Sequence, residues 1–149
     1  MAQQPMVDHN AIKFGQTVVA VWIAVAGALN APWLVIFLAA ALAVSAGSPS
    51  RSLFRLLYER VAVPAGIVRP RVVPDNPAPH RFAQGMGAAC LWLSSLALLV
   101  GAPLLGWLLA GLVAVLALLN VVAGFCAGCF VYYQLARRGW LPRRRGDER

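Results

Sequence analysis

Two stretches of this chain hold no Asp, Glu, Lys or Arg: Phe14 to Ser50 and Phe82 to Ala136. A surface in water cannot be built from such blocks, whereas helices facing lipid require them. Soluble domains are about one quarter charged. Here 12% of 149 residues are charged and 60% are hydrophobic. The chain reads as a single all-α, polytopic membrane domain, with each block one membrane unit.

Length divides the blocks further. Thr17 to Gly47 as one helix would run about 46 Å, well past a hydrocarbon core of about 30 Å. Asn30-Ala31-Pro32 supplies the break, because proline disfavours helix at the residue before it and suits the first position of the next helix. In the second block Gly101-Ala102-Pro103 and Gly106 interrupt the run. The expected spans are 14–29, 32–47, 83–103 and 107–133, preceded by a mobile or surface-lying tail over 1–12. Leu108 to Tyr133 is read as one closing helix of roughly 39 Å. For the first span a cleaved signal peptide stays open as an alternative, since Lys13, the apolar run to Leu29 and the small residues Ala26 and Ala28 mimic its parts.

An internal echo favours a structural role for that span. Lys13-Phe14-Gly15-Gln16 opens the first block and Arg81-Phe82-Ala83-Gln84 the second. Each is followed by a span, a break and another span, with Pro32-Trp33 answered by Pro103 and Gly106-Trp107. The pattern suggests two duplicated helical hairpins in the same orientation, related by an axis along the membrane normal.

Between the blocks, Ser48 to Pro64 begins with a serine cap and an early proline. At 100° per residue Leu53, Phe54, Leu56, Leu57 and Val61 share one face and Arg51, Ser52, Arg55 and Glu59 the other, the pattern of an interfacial amphipathic helix over 49–63. Arg60 falls on the apolar side and would snorkel to headgroups. Pro64, Pro70, Pro74, Pro77 and Pro79 then make 64–80 an extended connection.

The net charge of +8 is not a nucleic-acid patch. Its 13 basic residues fall at Lys13, in the middle segment (Arg51, Arg55, Arg60, Arg69, Arg71, Arg81) and in the tail (Arg137, Arg138, Arg143, Arg144, Arg145, Arg149), each cluster flanking a span. That is the positive-inside pattern, and it also attracts anionic lipid. It places both termini and the middle segment in the cytoplasm, with the uncharged hairpin tips outward. Tip and interface positions of Trp22, Trp33, Trp92, Trp107 and Trp140 suit an aromatic belt.

The candidate catalytic residues are the thiols Cys126, Cys129 and Cys90, which the topology puts in the cytoplasmic leaflet. Three cysteines are too few for a disulfide framework. Cys126 and Cys129 stand at i, i+3 on one helical face, about 5 to 6 Å apart, poorly set for a relaxed bridge within a helix. Gly124-x-x-x-Gly128 matches a small-residue packing motif, and cysteine is small enough to pack the same way. Near the C-terminus of a long apolar helix, dipole and burial would both raise the thiol pKa. A metal site with Cys90, His80 or His9 completing four ligands is allowed by the topology, but a lone CxxC is a weak zinc signature, and no metal or cofactor is expected. Asn120, Ser94 and Ser95 are read as interhelical hydrogen-bonding groups.

At Asp8-His9 with Phe14, Val68-Arg69-Pro70-Arg71, Pro77-Ala78-Pro79-His80-Arg81-Phe82-Ala83-Gln84 and Gly124-Phe125-Cys126-Ala127-Gly128-Cys129, the chain resembles a bacterial membrane family, domain of unknown function 4395. The resemblance covers nearly the whole chain, and GFCxGC is its most specific part. It implies a compact four-span protein of the bacterial inner membrane. It further implies thiol or sulfane-sulfur handling with a thioredoxin-like or rhodanese-like sulfurtransferase partner. The reading is therefore a membrane protein exchanging sulfur or disulfides through its cytoplasmic thiols, in contact with the bilayer and with no nucleic acid. The other reading is a non-enzymatic scaffold or small permease with packing cysteines, and a homo-oligomer fits either.

Overall fold

The computed structural model describes residues 6–141. Helices dominate: α1 (His9–Ala28), α2 (Pro32–Gly47), α3 (Leu53–Leu57), α4 (Pro77–Leu99), α5 (Pro103–Ala123) and α6 (Ala127–Arg137), with two short strands, β1 (Met6–Asp8) and β2 (Val72–Pro74). Three helices, α1, α4 and α5, are long and apolar enough to cross a membrane. The fourth apolar helix, α2, has 16 residues and rises about 24 Å.

The helices are sorted for a lipid environment. On α5 the small or polar residues Ala110, Val113, Ala117 and Asn120 are buried, while Leu108, Leu112, Val115 and Leu119 are exposed. Water would drive the leucines inward; small residues at the helix contacts instead let backbones approach, as membrane packing favours. Gly106 shows how close: a Cβ there would stand 2.5 Å from Leu98 Cγ. Ser94 donates from Oγ to the Gly106 carbonyl at 2.7 Å, the interhelical bond expected of it, whereas Ser95 bonds within its own helix, to Leu91 O at 2.7 Å. Val19, Ala20, Ile23 and Ala26 place α1 in the central core.

The two expected hairpins are present and have matching tips. At the first, Ala31 N–H returns to Ala26 O at 2.9 Å with Asn30 at φ +47°; at the second, Ala102 N–H returns to Ala97 O at 2.8 Å with Gly101 at φ +90°. Each tip is a left-handed helix stop, and Pro32 and Pro103 then open α2 and α5.

The repeat extends beyond the hairpins. Strands β1 and β2 pair antiparallel with Val7 opposite Val73, and each precedes the first helix of its half. Helix α1 packs on α5 as α2 packs on α4. Phe14 meets Tyr58 and Phe82 meets Tyr132, both at 5.7 Å between ring centroids, and both tyrosines are buried. Each half is thus a strand, a hairpin and a short third helix, with corresponding helix contacts.

Four boundaries differ from expectation. Residues 6–8 form β1, and α1 starts at His9 because the Asp8 carboxylate accepts the Asn10 and Ala11 N–H groups. Helix α4 starts at Pro77, within the stretch expected to be extended, because Asn76 caps Ala78 N–H and prolines in a first turn forgo no helical bond. The segment expected to be one amphipathic helix is a 3₁₀ turn (Pro49–Arg51), α3 and a π turn (Tyr58–Ala62). Its Phe54, Tyr58 and Ala62 pack inward, leaving Leu53, Leu56, Leu57 and Val61 exposed. The last expected span is broken at Gly124. Arg143, Arg144, Arg145 and Arg149 lie outside the described residues.

Candidate functional site: a thiol, imidazole and carboxylate cluster

Gly124 takes φ +67°, a left-handed conformation that ends α5 and returns its N–H to Asn120 O at 3.1 Å. Two residues later Cys126 is extended and becomes the N-cap of α6, its Sγ accepting the Cys129 N–H at 3.3 Å. The expectation of one helix through Tyr133 is therefore corrected, and with it the pole the thiols see. They stand at a helix N-terminus, where backbone N–H groups and dipole favour a thiolate. Hydropathy alone misses the break because Gly124, Phe125 and Cys126 are as apolar as the helices they join.

The two glycines of the packing motif have separate roles. At Gly124 an added Cβ would meet nothing within 4 Å; at Gly128 it would lie 2.5 Å from Ala83 Cβ and 2.6 Å from Ala83 Cα. Gly128 thus presses α6 against the start of α4, where His80 sits in the first turn.

Capping and close approach together assemble a continuous cluster. His80 Nδ1 lies 3.6 Å from Cys129 Sγ, and the donor atoms of His80, Cys126 and Cys129 are all within 4.8 Å of one another. The other ring nitrogen, Nε2, is 3.3 Å from Asp75 Oδ2, and His9 Nε2 reaches the same oxygen at 3.0 Å. Asp75 Oδ1 accepts the Asn76 N–H at 2.7 Å. With Nε2 directed at Asp75, Nδ1 is the ring nitrogen that faces the sulfurs, donating to a thiolate when protonated and accepting a thiol proton when neutral.

The environment splits the two thiols. The Cys129 thiol donating to it, opposed by burial and reinforced by His80 and the Cys129 backbone N–H, holds Cys126 down at about 5. Its bond to Cys126, together with burial, pushes Cys129 well above the usual thiol range. One sulfur is a thiolate at neutral pH and the other keeps its proton. Burial pushes the Asp75 carboxyl up, but the Asn76 N–H and the two histidines outweigh it, and Asp75 titrates below its ordinary value. The expectation of two raised thiols is corrected for Cys126.

Cys90 does not join the cluster. It lies ten residues beyond His80 on α4, about 15 Å by helix rise, and packs against the core. Asp75 was not singled out from the sequence, and His80 and His9 only as optional metal ligands. The available signal was Asp75-Asn76-Pro77, a cap and proline that start a helix and so fix His80 one turn inside it. His80 also lines a cavity of about 440 Å³ whose walls include Gln16, Gln84, Ser52, Arg55 and the core residues Val19 and Leu42.

A family model described as a domain of unknown function, DUF4395, matches residues 7–137. No curated protein and no solved structure matches the chain.

Proposed function

The chain belongs to the DUF4395 family of domains of unknown function, and on that premise we propose that it is a four-span protein of the bacterial inner membrane that exchanges sulfur–sulfur bonds with a soluble partner at its cytoplasmic face. The observation that carries this reading is the Cys126 sulfur capping α6 with His80 and Asp75 aligned behind its neighbour Cys129. Cys126 attacks one sulfur of a partner disulfide or sulfane-sulfur compound; that bond breaks, the far sulfur leaves as a thiolate, and a mixed disulfide or persulfide remains on Cys126. Cys129 then gives its proton to His80 Nδ1 and attacks Cys126 Sγ, releasing the carried thiolate or hydrosulfide and closing Cys126–Cys129. Asp75 holds the imidazole in the tautomer that accepts this proton. With Cys126 outside the helix proper, bridge formation is not confined to two helical side chains.

The partner class is the one the family resemblance implies, a thioredoxin-like or rhodanese-like protein, and such a protein would present the sulfur that this exchange needs. Against a packing role stands Gly128, which already lets α6 lie so close to α4 that an added Cβ would meet Ala83 Cβ at 2.5 Å. The fourth span is α2, short enough to require local bilayer thinning or snorkelling at its ends. Both termini are assigned to the cytoplasm because Lys13, Arg51, Arg55, Arg60, Arg69, Arg71, Arg81, Arg137 and Arg138 flank the bundle at the end opposite the hairpin tips.

The test is trapping in cells. Cys129→Ser should accumulate a mixed disulfide or persulfide on Cys126, while Cys126→Ser and the double variant should not. If the double variant is as abundant as wild type and supports growth on thiosulfate or under disulfide stress equally well, the scaffold or permease reading replaces this one.

A further inference from the structure

Beyond exchange chemistry, we propose that Cys126, Cys129 and His80 form a three-ligand site for a soft d¹⁰ metal ion, zinc(II) or copper(I). This inference needs only the donor set and stands whether or not a partner ever exchanges sulfur with it. Two sulfurs and one imidazole nitrogen converge with all three donor atoms within 4.8 Å of one another. Thiolate with imidazole is the ligand class that suits these ions.

The spacing has the dimensions of a coordination polyhedron. With a metal–sulfur distance of about 2.3 Å and a metal–nitrogen distance of about 2.0 to 2.1 Å, neighbouring S and N ligands of a tetrahedral ion stand about 3.6 Å apart. His80 Nδ1 and Cys129 Sγ are 3.6 Å apart. The outer ligand shell is also built: a metal-binding imidazole ordinarily gives its remaining N–H to a carboxylate, and His80 Nε2 faces Asp75 Oδ2 at 3.3 Å. His9, on the same oxygen at 3.0 Å, fixes that carboxylate from the other half of the chain. Three protein ligands leave one position of a tetrahedron for water or an incoming thiol. Cys90 takes no part, since it packs in the core.

The experiment uses the full chain in detergent, reduced and anaerobic, with cobalt(II) alone as the spectroscopic probe. Wild type should bind one cobalt per chain with thiolate-to-cobalt charge transfer and the strong visible bands of a four-coordinate site. Zinc(II) should displace it, and competition with a copper(I) chelator should rank copper(I) against zinc(II). Cys126→Ser and Cys129→Ser should each abolish the two-thiolate spectrum. Asp75→Asn should keep the spectrum but weaken binding about 10- to 100-fold. Cys90→Ser should match wild type. A second readout needs no variant: zinc should protect Cys126 and Cys129 of the native chain, and not Cys90, from maleimide. Absence of the cobalt spectrum in reduced wild type, its persistence in Cys126→Ser, or alkylation of the pair unaffected by zinc would overturn the site, and none of these results bears on whether a mixed disulfide is trapped in cells.

Discussion

Cys126 and Cys129 differ by three positions and by opposite electrostatic circumstances. Cys126 receives hydrogen bonds from Cys129 and feels His80, whereas Cys129 faces the resulting negative charge. The group with the lowered pKa is charged above about 5 and neutral below it. Alkylation of Cys126 in the metal-free chain should therefore be fast and flat from pH 6 to 8 and fall as pH drops through about 5. A free cysteine loses reactivity below about 8.5. Iodoacetamide labelling read by peptide mass spectrometry across pH 4 to 9 checks this, and a midpoint near that of free cysteine would remove the thiolate from the mechanism. Asp75 shows what residue-level reading lacks: one carboxylate joins residues 66 and 5 positions away in sequence, and no local pattern announces that convergence.

Among the elements, α6 has the greatest consequence for the site and was the least legible. The hairpin tips could be read because proline and glycine or asparagine punctuate them, and the apolar helices because charge is missing over whole blocks. The α5 to α6 break was hidden, since its one signal, Gly124, also fitted a packing motif. Length held a clue: a helix of roughly 39 Å exceeds a core of about 30 Å by more than a turn. Gly128→Ala tests the element directly. Its methyl would collide with Ala83 backbone and side chain. Relief of that overlap should cost about 1 to 3 kcal/mol of stability. Shifting α6 from α4 should also draw the thiols from His80, so the pH midpoint of Cys126 should rise. A variant with unchanged thermal midpoint and unchanged Cys126 labelling would show that the contact does not position the site.

For the whole molecule, the matching order of elements in the two halves sets what each end of the bundle does. Helices α1 and α4 begin side by side, joined by His9, Asp75 and His80, so their far ends and both tips share the other end. Single cysteines at the exposed Leu29 and Ile67, in a background lacking the native three, should label with an impermeant maleimide from opposite sides of the membrane, Leu29 from outside. Labelling of Ile67 from outside in intact cells would invert the orientation and detach the site from cytoplasmic partners. The echo of Lys13-Phe14 in Arg81-Phe82 made the duplication readable, but the third helix of each half was not, because Tyr58 and Tyr132 lie in sequences with little else in common.

That duplication means the molecule contains its own control experiment. In the first half Ser52 caps α3, its Oγ accepting the Arg55 N–H at 3.4 Å; in the second Cys126 caps α6, its Sγ accepting the Cys129 N–H at 3.3 Å. Oxygen already stands in one copy of the position that sulfur holds in the other, and the scaffold closes around both. A serine at residue 126 can consequently make the same cap that Ser52 makes at Arg55, so a variant that stays as abundant and as stable as wild type but loses exchange has lost it to sulfur itself.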